Sequence, residues 1–352
     1  MTEKKRIEYF FAITLLAQCI NSLEGRSPFR PKEEWLPMIS VQWAHESEKF
    51  SVSNAHLEEY PYFKIFDNNF FNEHLIKDTP IAFRYKPDQS VMGGILAERV
   101  EHLLEEIKER KKYYTYFTVI QKKDFSRRKG CGLIVLKFKE YPFVLKLFIE
   151  TPETFIRITG KGFEPIFFYY MGGGVNRHLS GLTRLKNLEY INKKLASSSE
   201  WSEAVNTPRK WFWVPREPVW FLITGNNIGS EGKELHTTIP STYAIIADAI
   251  EAERNFSIKS PEDREFALHL CSFLDYYLDP HISNFMIEKN TGKVVIVDTE
   301  HFPTMVGLKK KYEFKGYASW YSQLTKKCTK DMLLSTKAER KNRQHQPFPF
   351  AL

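Results

Sequence analysis

An Asp, an Asn five residues later and a second Asp fourteen beyond that surround a tight turn near the C-terminal end, and no other feature constrains the chain as much. The stretch opens Asp279-Pro280-His281-Ile282-Ser283-Asn284 and closes on Asp298. Between them Phe285–Ile287 is a short apolar run, Lys289-Asn290-Thr291-Gly292 a turn signal and Val294–Val297 a β-branched run, so the segment reads as a β-hairpin. A hairpin folds the chain back on itself, which brings Asn284 and Asp298, at its open ends, close together. Two oxygen donors side by side with a spare carboxylate suit Mg²⁺ on a nucleotide phosphate, so the segment reads as a phosphotransfer site. Taken singly, the same residues also fit a solvated hairpin whose Asp and Asn side chains cap turns.

Upstream, Phe143-Val144-Leu145-Lys146-Leu147-Phe148-Ile149 is an apolar strand with a single charge at its centre. A lysine there is costly to bury unless an anion pairs with it, which makes Lys146 the candidate phosphate-binding cation. An edge-strand lysine that snorkels to solvent is the alternative. Tyr113–Val119 and Leu133–Phe138 read as strands on either side of the polar, basic segment Asp124–Gly132. Gly130 and Gly132 would let backbone N–H groups in that loop approach a nucleotide's phosphates closely. Arg127, Arg128 and Lys129 would attract a polyanion there, or simply be solvated. Met171-Gly172-Gly173-Gly174 is a competing glycine run, read as the lead-in to a helix over His178–Leu195. On that helix Leu179, Leu182, Leu185, Leu188, Ile191 and Leu195 share one face.

These motifs resemble the protein-kinase-like superfamily in its small-molecule and atypical branches. Asp279-Pro280-His281 followed by Asn284 is similar to the catalytic loop of the atypical kinases of ubiquinone biosynthesis, and Asp298-Thr299-Glu300 to the Asp-x-Glu of aminoglycoside and choline kinases. The resemblance implies an α+β, two-lobed fold with an antiparallel-sheet N-lobe and a mainly helical C-lobe. It also implies an ATP-dependent phosphotransferase. Asp279 would orient or deprotonate the acceptor hydroxyl, Asn284 and Asp298 would hold Mg²⁺ or Mn²⁺, Glu300 would add a second metal carboxylate, and Lys146 would hold the α/β phosphates. A glutamate on the helix after the lysine strand would pair with Lys146. Glu189 is the carboxylate on that segment; Glu153 and Glu164 are the alternatives, and a surface i,i+4 partnership with Lys193 is its non-functional role.

Trp211–Pro215 and Val219–Ile223 read as two further strands, Thr224–Gly229 as the hinge between lobes, and Ser241–Arg254 and Pro261–Tyr277 as helices. The second helix leads straight into Asp279. The length of 352 residues suits a two-lobed unit with an extension, divided as 1–110 N-terminal extension, 111–226 N-lobe, 227–336 C-lobe and 337–352 charged tail. A helix over Met92–Lys111, with Ile95, Leu96, Val100, Leu103, Leu104 and Ile107 on one face, would pack on the N-lobe as an accessory element. Asn54–Phe83 is aromatic and irregular. The stretch from 227 onward is short for the helical lobe of a protein kinase, and Met305–Tyr317 is a short basic stretch in place of a long activation segment, which favours a small-molecule acceptor over a protein.

At the N-terminus Lys4-Lys5-Arg6 precedes the apolar run Phe10–Ile20 and a polar break at Asn21–Gly25, the pattern of a secretory signal. Glu8 interrupts it and no Ala-x-Ala site appears, so the segment reads as a first amphipathic helix in a cytoplasmic protein, with export the alternative. The run is too short to span a membrane. Cys19, Cys131, Cys271 and Cys328 lack paired or metal-like spacing, which points to reduced thiols. A net charge of +8 fits anionic ligands, and no nucleic-acid motif accompanies the basic clusters. Three classes follow: the phosphotransferase, a pseudokinase acting as a binding or scaffolding module, and a kinase-fold enzyme that transfers AMP.

Overall fold

The computed structural model describes residues 38–44, 51–52, 68–122, 125–152, 175–228 and 233–302. The signal-like N-terminal segment, Glu153, Glu164, the glycine run at 171–174, the basic stretch at 305–317 and the charged tail lie outside them. In chain order the elements are β1 (Met38–Trp43), β2 (Ser51–Val52), α1 (Asn68–Glu73), β3 (Pro80–Phe83), β4 (Lys86–Met92) and α2 (Gly93–Lys108). There follow β5 (Phe117–Lys122), β6 (Gly132–Phe138), β7 (Phe143–Ile149), α3 (Val175–Ala196), α4 (Ser199–Ala204), β8 (Val205–Asn206) and β9 (Lys210–Trp213). The remainder are β10 (Trp220–Ile228), β11 (Lys233–Pro240), β12 (Thr242–Asp248), β13 (Ala252–Asn255), α5 (Pro261–Phe273), β14 (Phe285–Glu288) and β15 (Val294–Ile296). The fold is α+β, and the described strand pairs are antiparallel apart from β8 with β15. Among the described residues no helix is long and apolar enough to cross a membrane.

The central sheet has the order β5-β6-β7-β12-β9. Side chains alternate across a strand, so β7 turns Phe143, Leu145 and Leu147 to one face and Val144, Lys146 and Phe148 to the other. The first face meets α2, whose Leu96, Val100, Leu103 and Ile107 repeat at helical spacing and are buried with Leu136, Leu145, Leu147 and Ile246. Ile95 is off this face and exposed. Burying four such side chains contributes about 1.5–3 kcal/mol each, which makes α2 part of this core.

The second face meets α3. A Cβ on Gly181 would collide with the Tyr243 hydroxyl and lie 2.8 Å from Phe148 Cε1, so only glycine lets the helix approach β7 and β12 this closely. Further along, Ile191 and Leu195 of α3 join a second core with Leu270, Cys271 and Leu274 of α5 and Phe285, Val294 and Ile296 of the β14–β15 hairpin. Helix α3 therefore connects the sheet bearing Lys146 to the hairpin bearing Asp298. Helix α5 starts where Pro261 and the Ser260 cap, accepting from Asp263 N at 3.0 Å, favour it.

Two expectations are corrected. Thr224–Gly229 is not a hinge: residues 224–228 lie within β10, which pairs with β1 and β11 in a sheet of order β1-β10-β11-β2. The Gly225-Asn226-Asn227 turn signal falls where the β10–β11 register shifts, a bulge inside a strand. Ser241–Arg254 is not a helix but β12 and β13. Tyr243 through Asp248 are all buried, because β12 is covered on both faces, and such a strand shows no two-residue alternation to distinguish it from a buried helix. The sheet bearing Lys146 is thus completed by β12, beyond the boundary expected at 226.

Candidate functional site

The hairpin forms as its sequence dictates: Phe285 pairs with Ile296, Ile287 with Val294, and Gly292 takes a φ of 66° in the turn. At the open end Val297 N donates to Asn284 O at 2.9 Å, so Asn284 and the segment leading to Asp298 are adjacent. A single 3-10 turn, Ile282–Asn284, separates Asp279 from the hairpin. Asp279 Oδ1 accepts from His281 N at 3.0 Å, and Asn284 Nδ2 donates to Asp279 O at 3.1 Å. The approach from α5 is strained, with Asp275 and Tyr276 at φ 55° and 58°, left-handed values that cost non-glycine residues about 1–3 kcal/mol each. Tyr190 Oη and Lys194 Nζ of α3 hold the Asp275 carboxylate in place.

Lys146 and Asp298, 152 positions apart, meet with Nζ to Oδ2 at 2.6 Å. The other oxygen of Asp298 is taken by Arg184 Nε of α3 at 2.8 Å, and Arg184 Nη2 donates to Glu300 at 2.7 Å. Thr299 is buried between them. Its hydroxyl donates to Arg184 O at 2.7 Å and accepts from Lys210 Nζ of β9 at 2.6 Å. Asn187 ties the two ends of the site together, donating to Tyr277 O at 2.9 Å and Thr299 O at 3.1 Å. Lys146 and Asp298 remain 23% and 22% exposed, whereas the Arg184 side chain is 4% exposed, so the cluster opens on the lysine side.

Burial alone would raise the Asp298 pKa, but Arg184, Lys146 and Lys210 outweigh it and hold the carboxyl well below its usual range. Burial lowers the Lys146 pKa, with Asp298 partly restoring it. Lys210 lies well below an ordinary lysine, through burial and the nearby charges of Lys146 and Arg184 despite the opposing pull of Asp298. Asp279 goes the other way: burial first, then the negative charges of Asp298 and Glu300, push its carboxyl up to about 7. His301, pushed down to about 3 by burial, is a neutral ring at neutral pH.

No family model, curated protein or solved structure matches this chain. What the site can do therefore rests on its own geometry. The structure brings Lys146, Asp298 and Glu300 into one cluster and sets Asn284 at the same open end of the hairpin. It does not bring Glu189 to Lys146. Glu189 is half-exposed and pairs with His74 at 3.3 Å and Lys186 at 3.4 Å. Five residues along a helix turn the side chain by about 140° from Arg184, away from the sheet. The group that α3 presents to the cluster is thus a cation, and the partner of Lys146 is Asp298. Gly130 occupies the turn before β6 with a φ of 65°, and Gly132, with a φ of 105°, opens β6 itself. A Cβ on Gly130 would lie 3.6 Å from Ile107 of α2, which packs on the sheet face opposite Lys146. Gly132 pairs with Ile149, three residues beyond the Lys146–Val135 pair, roughly 10 Å along the strand.

Among the described residues no group of three or more His, Cys, Asp or Glu forms a ready metal cage. The oxygen donors of Asn284, Asp298 and Glu300 are nevertheless the type Mg²⁺ takes, and the cations around them suit phosphate oxygens, so the residues fit a metal–triphosphate pair. Sequence reasoning missed Arg184, Asn187, Lys210 and Thr299. Lys210 follows Arg209 at the start of an apolar strand and reads in sequence as part of a solvated basic pair. Arg184 and Asn187 sit beside leucines on a helix and Thr299 between two carboxylates, and none carried a signal of its own.

Proposed function

We propose that the chain is an ATP-dependent phosphotransferase that moves the γ-phosphoryl group to a hydroxyl acceptor, with Asn284 and Asp298 as the Mg²⁺ ligands. The observation that carries this reading is the 2.6 Å pair of Lys146 with Asp298. Two residues singled out for separate roles, from segments far apart in sequence, meet at one point. Lys146 lies on the third strand of its sheet in chain order and is followed by a helix that reaches the same cluster, as the phosphate lysine of kinase-like folds does.

In this reading Asn284 and Asp298 would hold Mg²⁺, which would supply charge to offset that of the phosphates. Lys146 binds and orients the phosphates. Asp279, beside Asn284, accepts the proton of the acceptor hydroxyl as its oxygen forms the new bond to the γ-phosphorus and the bond to the β-phosphate oxygen breaks, releasing ADP. A carboxyl near 7 suits a base working at neutral pH. A small hydroxyl compound is the favoured acceptor, and a cytoplasmic location goes with ATP use and with the buried, reduced thiols of Cys131 and Cys271.

One observation favours a second reading, a non-catalytic binding module: both Asp298 oxygens are already neutralised by protein cations. Mass spectrometry of the full chain incubated with Mg-ATP separates the readings. ADP release by the wild type, lost in Lys146→Met, supports phosphoryl transfer, and an AMP adduct indicates adenylyl transfer instead. Tight ATP binding without turnover favours the binding module.

A further inference from the structure

We infer that Arg184 is a phosphate-binding residue of this site, donating through Nη1 to an oxyanion of the nucleotide while Nε and Nη2 stay on Asp298 and Glu300. The inference rests on the nucleotide reading above and adds a residue and a role to it. A guanidinium carries five donors in a fixed plane, and a buried donor left unpaired costs about 1–3 kcal/mol. Arg184 uses Nε on Asp298 at 2.8 Å and Nη2 on Glu300 at 2.7 Å. Its Nη1 is buried and has no hydrogen-bond partner among the described residues. A side chain only 4% exposed, pinned at two nitrogens, cannot swing to water to satisfy the third.

The position of the guanidinium points the same way. Arg184 and Lys146 hold the two oxygens of a single carboxylate, so the guanidinium lies directly behind the carboxylate that Lys146 faces. A metal ion would compete with Lys146 for Asp298 Oδ2, while Arg184 Nε keeps Oδ1. Arg184 stands on the helix where a carboxylate partner for Lys146 was expected, so that helix brings a cation to the cluster in place of an anion. That arrangement favours binding of a strongly anionic group over a neutral one.

Calorimetric titration of the full chain with Mg-ATP, Mg-tripolyphosphate and adenosine tests the inference. Arg184→Lys keeps the charge but loses the planar fork and should weaken both phosphate ligands about tenfold or more, leaving adenosine unchanged. Unchanged phosphate affinity, or an equal loss for adenosine, overturns it. Should the variant fail to fold, a crystal structure of the wild type with Mg-ATP decides. Nη1 within hydrogen-bond distance of a phosphate oxygen supports the inference, and its absence from the phosphates overturns it. If Lys146→Met weakens Mg-ATP while Arg184→Lys does not, the inference alone fails. If the wild type binds none of the three probes, the nucleotide reading fails and takes the inference with it.

Discussion

Asp279 is a carboxyl held far from its ordinary state. It touches none of the cluster cations directly; its oxygen accepts from His281 N, and its neighbours Asp298 and Glu300 repel its charge. Asp279→Asn removes the base without removing a cation or a metal ligand. Mg-ATP affinity should therefore be preserved while phosphoryl transfer falls by roughly 10²–10⁴. An unchanged turnover would reduce Asp279 to a turn cap. The pH dependence has a defined sign. The base works when deprotonated, so wild-type transfer should rise as pH rises through about 7. Stability runs the opposite way: a carboxyl at 3.8 in the unfolded chain and about 7 in the folded one makes the fold lose stability as pH climbs between those values. His301, at about 3 in the folded chain, contributes the opposite slope over much of that window, so the test is the difference: the melting temperature of Asp279→Asn should rise relative to the wild type as pH climbs through it.

Among the elements, those with a clear period were legible and those buried on both sides were not. The hairpin ends, the strand of Lys146 and the apolar stripe of α3 could be read because apolar residues alternated or recurred about a lone charge or turn. Strand β12, covered by α2 on one face and α3 on the other, shows only a continuous apolar run and was read as a helix. Arg184 and Asn187 were invisible because the polar side of a helix ordinarily meets water. On α3 it meets the cluster instead, and both residues are buried. The close approach of α3 depends on one glycine, so Gly181→Ala should force the Tyr243 hydroxyl and Phe148 aside. Overpacking of this kind costs about 1–3 kcal/mol, measurable by urea unfolding. Since Tyr243 Oη also donates to His178 O at 2.5 Å, the shift would disturb a buried hydrogen bond as well. A stability equal to wild type would mean that the α3–sheet contact is loose and that Arg184 is not held by it.

At the scale of the whole molecule, Glu288 ties distant segments together. Its carboxylate, almost wholly buried, accepts from Arg84 Nε at 2.7 Å and Tyr85 Oη at 2.6 Å in the β3–β4 turn, from Asn206 Nδ2 at 2.9 Å in β8 and from Thr291 Oγ1 at 2.7 Å in its own hairpin. Burial would raise its pKa, but these four donors outweigh that and hold it at about 2. A depressed carboxyl adds stability that is present above the unfolded value of 4.5 and lost as pH falls toward about 2. Glu288→Gln should cost on the order of 3 kcal/mol at neutral pH, since it removes the nearer of the two buried carboxylates facing Arg84, the other being Asp248 at 3.9 Å, and should flatten the acid limb of the stability curve. Loss of an ordinary surface pair, under about 1 kcal/mol, would show that the segments are not joined there. The central claim, that the Lys146–Asp298–Glu300 cluster with Asn284 binds a metal–nucleotide pair, is tested most directly by thermal unfolding with ATP in the presence and absence of Mg²⁺. Ligand at a hundred times its dissociation constant adds about 2.7 kcal/mol of stability. The account predicts a raised melting temperature for the wild type with ATP and Mg²⁺ together, little change with ATP alone, and no metal-dependent rise for Asp298→Ala. Equal shifts with and without Mg²⁺, or in wild type and Asp298→Ala alike, would contradict it.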